Sequence, residues 1–110
     1  MENKEKNLET ALKNFRNAVN EARENPLVLY LNDYEKWIAG NIELGNIGTA
    51  IYHAKLLISY YIEENPYTPK NDEIINKMKE TCPSIYNIMD ASKKMYRIGQ
   101  ATKELINLLE

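Results

Sequence analysis

A chain of 110 residues, 44% of them hydrophobic, with a formal charge of −2, has room for one core and is too apolar to stay disordered. The charge gives no electrostatic case for nucleic acid or an anionic membrane, and no apolar run reaches the length of a membrane span. The single Cys82 excludes an intrachain disulfide, and the polar start MENKEKNLET holds no signal-peptide core, so a cytoplasmic location is expected.

Residues 4–24 predict the first helix. Leu8, Leu12, Phe15, Val19 and Ala22 form a heptad-like seam that Ala11 and Ala18 widen, and charged or amide residues fill the other faces. Asn25-Pro26 ends it, because the residue before a proline leaves the helical region while proline suits the first helical position. The second helix then runs from Pro26 to about Leu44, with Leu27, Leu31, Tyr34, Ile38 and Ile42 as its main stripe. Gly40 lies inside it at a cost of about 1 kcal/mol relative to Ala, which a close helix crossing would explain.

Gly45-Asn46 reads as a helix stop followed by an N-cap. The stretch GNIGTAIYHAKLLISYYIEE, residues 45–64, carries one apolar stripe from Ile47 to Ile62 and a second through Tyr52, Leu56 and Tyr60. A helix apolar on most sides needs cover on most sides, so this one is expected at the centre. Asn65 to Pro69 holds two prolines and forms a stiff connector. A short helix follows over about Asn71 to Thr81, capped by Thr68 or Asn71. Cys82, just past its end, is expected to be partly buried.

The last helix, about Ser84 to Leu109, has the strictest pattern: Ile85, Ile88, Ser92, Met95, Gly99, Thr102, Ile106 and Leu109 alternate steps of three and four. Its middle is small, so the helix over 45–64 is expected to cross at Ser92, Gly99 and Thr102. No stretch alternates at strand period between turn signals. The expected fold is all-α, an antiparallel bundle of four long helices plus one short helix, over a single domain 1–110.

The chemistry-bearing residues are few. His53 is the one histidine, no zinc-ligand spacing occurs, and Cys82 has no base placed beside it in sequence, so no cofactor, no metal and no enzymatic activity is expected. Glu63-Glu64 and Asp72-Glu73 sit at helix ends, where solvation and dipole matching account for them. Residues 1–69 carry 7 basic and 10 acidic side chains and residues 70–110 carry 7 and 6, so the balance shifts from −3 to +1. Lys93, Lys94, Arg97 and Lys103 make the last helix locally basic; a solvated face is the ordinary role of such residues and an anionic contact the functional one.

Eight tyrosines accompany one tryptophan and one phenylalanine. Tyr30, Tyr34, Tyr52, Tyr60, Tyr67, Tyr86 and Tyr96 exceed what a core of this size holds, so some edge the bundle, and a Tyr-rimmed binding groove is one consequence. Tyr52, Tyr60, Tyr86, Tyr96 and His53 are therefore candidate partner contacts beside the four cations.

Two resemblances extend this reading. NEARENP, a following helix pair and ISYYIEENPYTPKNDEIINKMKE together resemble the small bacteriocin immunity proteins of Gram-positive bacteria. That resemblance implies an antiparallel four-helix bundle that acts in the cytoplasm and protects the producing cell from its own pore-forming peptide. It also implies that the C-terminal part, with Lys93, Lys94, Arg97 and Lys103, sets which peptide is recognised. ELGNIGTAIYHAK is similar to the turn-and-helix of HEPN domains, helical and often dimeric proteins that include RNases of toxin–antitoxin and defence systems. The catalytic HEPN motif places an Arg a few residues before its His; here the nearest upstream Arg of His53 is Arg23, so the resemblance implies a non-catalytic, RNA- or toxin–antitoxin-associated member. The expected function is a non-enzymatic protein-binding module, an immunity protein or an inhibitor encoded by a mobile genetic element, with a homodimer as a further possibility.

Overall fold

The computed structural model describes the chain from residue 2 to residue 110, with side chains from residue 5; Met1, part of the expected domain, lies outside the described residues. The fold is all-α, with no strand among the described residues. Helix α1 is Glu2–Ala22. Helix α2 covers residues 26–43 and changes pitch along its length. It opens with the tight 3-10 segment Pro26–Leu31, becomes α-helical at Asn32–Glu35, widens to a π-turn at Lys36–Gly40 and closes at Asn41–Glu43. Helix α3 covers 47–62, α-helical over Ile47–Leu57 and wide over Ile58–Ile62. A 3-10 turn, Pro69–Asn71, leads into α4, Asp72–Thr81, and α5 is Pro83–Leu109.

The breakers act as expected. Gly45 takes φ 81°, the left-handed conformation that glycine reaches without strain, and stops α2. The Asn71 carboxamide accepts from the Thr68 amide (3.1 Å) and hydroxyl (3.4 Å) at the start of α4. Asn46 makes no side-chain cap; its amide reaches Asn41 Oδ1 at 3.4 Å instead.

The α1 seam is buried from Phe15 to Ala22 and partly buried at Leu8 and Leu12. Phe15 and Val19 are fully enclosed with Ala11, Ala18 and Ala22, beside Val28 and Leu31 of α2 and Ala91, Ile98 and Leu105 of α5. Each fully buried Phe or Leu side chain contributes about 1.5–3 kcal/mol through area removed from water. Neighbouring helices run in opposite directions. Arg16 pairs with Glu43 while Arg23 pairs with Glu35 across α1 and α2. Arg97 meets Glu21 across α1 and α5, and Lys55 meets Glu110 across α3 and α5.

The frame is α5 rather than α3. Helix α5 packs on α1, on the first turn of α2, on α3 and on α4. Among the described residues helix α3 packs on α2 and α5, and its second stripe faces outward: Tyr52 and Tyr60 are exposed and Leu56 is half-buried. An apolar stripe gives a helix's preference for cover, whereas the number of neighbours decides how much it receives.

The seam of α5 is also displaced from the expected one. Ile85 and Ile88 are exposed, and Ala91, Ile98, Thr102 and Leu105 are buried. Of the predicted small positions, Ser92 and Gly99 lie towards α3, and Thr102 belongs to the buried seam. Asn65 donates to Ser92 O at 2.8 Å, and Ile62 lies over Gly99 so closely that a methyl there would sit 2.7 Å from its Cγ2. Thr102 is enclosed, its hydroxyl donating to Ile98 O at 2.7 Å. The predicted crossing at Gly99 is therefore present. No crossing occurs at Gly40, where an added methyl would meet only Lys36 Cγ at 3.9 Å; this glycine belongs to the wide turn of α2. Cys82 is exposed rather than partly buried, because the break before Pro83 lies beyond the core.

Candidate functional site

The wide turns of α2 and α3 each carry aromatic residues. In α2 the turn frees the Trp37 carbonyl from its usual partner, and Asn41 Nδ2 donates to it at 2.6 Å. In α3 the Glu63 amide reaches back five residues to Ile58 O at 3.0 Å. The extra residue buries Ile62, five positions after Leu57, and leaves Tyr60 and Tyr61 on the α2 side.

The result is a continuous strip of rings across α2 and α3. Tyr52 meets His53 edge-on at 5.3 Å, and His53 stacks on Trp37 at 5.4 Å with 27° between planes. Trp37 meets Tyr34 at 5.1 Å, Tyr34 meets Tyr61 at 6.0 Å, and Tyr61 is flanked by Tyr30 at 5.2 Å and Tyr60 at 6.3 Å. Tyr34 is buried beneath the strip, while Trp37, Tyr30, Tyr52 and Tyr60 are 40%, 48%, 60% and 70% exposed. Offset and edge-on pairs of this kind contribute about 0.5–1.5 kcal/mol each beyond area, so the strip is pre-ordered. Burial first, then repulsion from the ionisable Tyr61 phenol, pushes the Tyr30 and Tyr34 hydroxyls above their ordinary value.

The nine predicted contacts divide between two regions. Tyr52, Tyr60 and His53 belong to the strip. The cations of α5 leave the helix in separate directions. Lys93 pairs with Asp72 of α4 at 3.1 Å, Arg97 with Glu21 of α1 at 3.2 Å, and Lys94 with Asp90 on its own helix. Exposed Lys103 borders a groove with Lys55 of α3 and Glu63 just past its end. Tyr96 packs edge-on against Tyr67 at 5.0 Å, and Tyr86 lies 5.9 Å from the Lys79 ammonium.

Around Tyr67 the contacts fasten α4 to α5. Its hydroxyl donates to Asp72 Oδ1 at 2.6 Å. That bond first, and Lys93 next, holds the Asp72 carboxyl below its ordinary range, while burial and the same carboxylate push Tyr67 up to about 12.

Tyr30, Tyr34, Trp37 and Tyr61 of the strip are outside the predicted contacts. The steps Tyr30, Tyr34, Trp37 on one helix and His53, Tyr60, Tyr61 on the next carried the signal, visible only once the two helices are placed side by side. Among the described residues no group of three or more His, Cys, Asp or Glu gathers as a metal site, and no helix is long and apolar enough to cross a membrane. Comparison with protein-family models, curated proteins and solved structures finds no match for this chain.

Proposed function

We propose that the chain is a non-enzymatic module that binds another protein through the aromatic strip of α2 and α3. The continuous run of rings, four of them open to solvent, carries this reading. Tyr and Trp join large contact area to low side-chain entropy, and they dominate binding hot spots. An ordered aromatic face of this extent has a water-exposure cost that a partner removes. The scaffold in this reading is one domain, an antiparallel bundle of four long helices with the short α4 on its side. The role that fits is that of an immunity or inhibitor protein in a bacterial or phage conflict system, acting in the cytoplasm.

The test is capture by the tagged chain from its native host, compared with Tyr52→Glu/Trp37→Ser and with Lys103→Glu. One stoichiometric protein partner, kept by Lys103→Glu and lost by the strip variant, supports the reading. Recovery of nuclease-sensitive RNA that weakens steeply with salt overturns it in favour of a HEPN-like role. A concentration-dependent doubling of mass with no other partner overturns it in favour of a homodimer. Expression of the chain in bacteriocin-sensitive cells tests the immunity role directly.

A further inference from the structure

The geometry points to the cavity walled by Tyr30, Tyr60 and Tyr61 as a socket for one lysine or arginine side chain of the protein partner, held by the rings and by the Glu64 carboxylate. The inference rests on the protein-binding reading and adds the chemistry of one contact. The cavity measures about 230 Å³. Pockets for small molecules and cofactors begin at about 300 Å³, so a single long side chain suits this one better.

Three devices build its walls. The wide turn at Ile58–Ile62 brings Tyr60 and Tyr61 to one edge of α3. Tyr30 comes from α2, with its hydroxyl 3.7 Å from Met95 Sδ on α5. The corner at Asn65, tied to Ser92 O, closes the end. The rings are not stacked flat: Tyr61 makes 53° with Tyr30 and 60° with Tyr60, so they enclose the space from different sides.

Charge decides the occupant. Ring faces carry the negative lobe of the aromatic quadrupole, the phenol oxygens accept hydrogen bonds, and Glu64 lines the same cavity. Among the described residues no lysine or arginine pairs with Glu64. An acidic side chain would meet Glu64 and the ring faces unfavourably. The methylene stem of lysine or arginine would lie on Tyr61 and the soft Met95 thioether, with its cationic head on Tyr60 and Glu64.

The experiment is an NMR titration of the full chain, 13C-labelled on tyrosine rings, with the capped tripeptides Gly-Lys-Gly and Gly-Arg-Gly and with Gly-Glu-Gly as control. Signals of Tyr30, Tyr60 and Tyr61 are expected to shift saturably with the basic probes only, and those of Tyr52 and Tyr96 to stay. Tyr60→Leu weakens the basic probes about two- to fivefold, the value of one exposed cation–π contact. Glu64→Gln weakens them by up to about fivefold, as for an exposed ion pair. Tyr60 and Glu64 are both exposed, so both variants keep the fold, which circular dichroism checks. Equal shifts with the acidic probe, or basic affinities unchanged in both variants, overturn the inference. If the basic probes fail while a partner is still captured and lost in Tyr52→Glu/Trp37→Ser, the socket falls and the protein-binding reading stands. If the basic probes bind as expected and no partner is captured, that reading falls and the cation site stands.

Discussion

Replacing Gly99 by Ala sets two effects of opposite sign against each other. In the interior of a helix the change favours folding by about 0.5–1 kcal/mol, because glycine loses more backbone freedom. Here the new methyl would lie 2.7 Å from Ile62 Cγ2 and 3.0 Å from both Cγ1 and Cδ1. Carbon atoms in good contact sit about 3.5–4.0 Å apart, so α3 or the Ile62 side chain has to move. Ile62 is buried, is stiff at χ1 because it is β-branched, and closes the wide turn of α3, so little of the clash relaxes. Overpacking of this kind costs about 1–3 kcal/mol, which leaves Gly99→Ala less stable by about 0–2.5 kcal/mol. Urea unfolding of the wild type, Gly99→Ala, Ile62→Ala and the double variant measures the coupling. The double variant is expected to be more stable than the sum of the singles by about 1–3 kcal/mol, since Ile62→Ala removes all three clashing atoms. Stabilisation of Gly99→Ala by the full propensity gain, or additivity within about 0.5 kcal/mol, would refute the seating of Ile62 on Gly99.

Two further predictions concern polar ties. Asn25 is buried, donates to Asn87 O (2.8 Å) and Asp90 Oδ2 (3.1 Å), and accepts from the Leu27 amide. Asn25→Ala is expected to cost about 1–3 kcal/mol in urea unfolding, and Asn25→Asp more at pH 7, because it sets a carboxylate against Asp90. The gap between the two should narrow at pH 4, and an equal loss at both pH values would rule out that contact. Asp72 titrates below its ordinary 3.8, so its contribution is whole above that value and is lost as pH falls through the folded-state value. Tyr67 is raised from 10.0 to about 12, so stability falls as pH rises across that interval. Tyr67→Phe should flatten both arms of a stability–pH curve, and an unchanged acid arm would show that Lys93 alone sets Asp72.

Helix limits were legible because proline and glycine mark them: Pro26, Pro69 and Pro83 each open an element, Gly45 follows the last turn of α2, and Pro66 lies in the connector after α3. The approach of α3 to α5 was legible for a related reason: a glycine within a regular helical seam lowers helix propensity, and the room it leaves for a neighbouring helix offsets that loss at Gly99. The wide turns were not. A step of five from Leu57 to Ile62 hides inside a run where Ile58 and Tyr61 also satisfy helical spacing. The outward placement of α3 was hidden because periodicity counts apolar faces and not the helices available to cover them; only the excess of tyrosines pointed to Tyr52 and Tyr60 at an edge. The burial of Asn25 depends on Asn87 and Asp90, more than sixty positions away, and an Asn before a Pro looks like a helix stop and nothing more.

The tripeptide Glu-Asn-Pro occurs twice, at 24–26 and 64–66, and both corners use one device. Each Asn side-chain Oδ1 accepts from the amide after the proline, Leu27 in one and Tyr67 in the other, and each Nδ2 donates to a carbonyl of α5, Asn87 or Ser92. The chain leaving α1 and the chain leaving α3 are thereby tied to the same helix. Helix α5 then has its sides occupied by α1, α3, α4 and the opening of α2, and the outward face of α2 and α3 takes no part in the frame. In the protein-binding reading, stability and recognition rest on different residues except where the socket meets the frame, at Asn65, Ser92 and Met95. Substitutions at Asn25, Gly99 or Ile62 act on the frame, while those at Tyr52 or Tyr60 act on a face that no other helix covers. In that reading, a partner seated on Tyr52, His53 and Trp37 would leave the helix contacts of the frame in place.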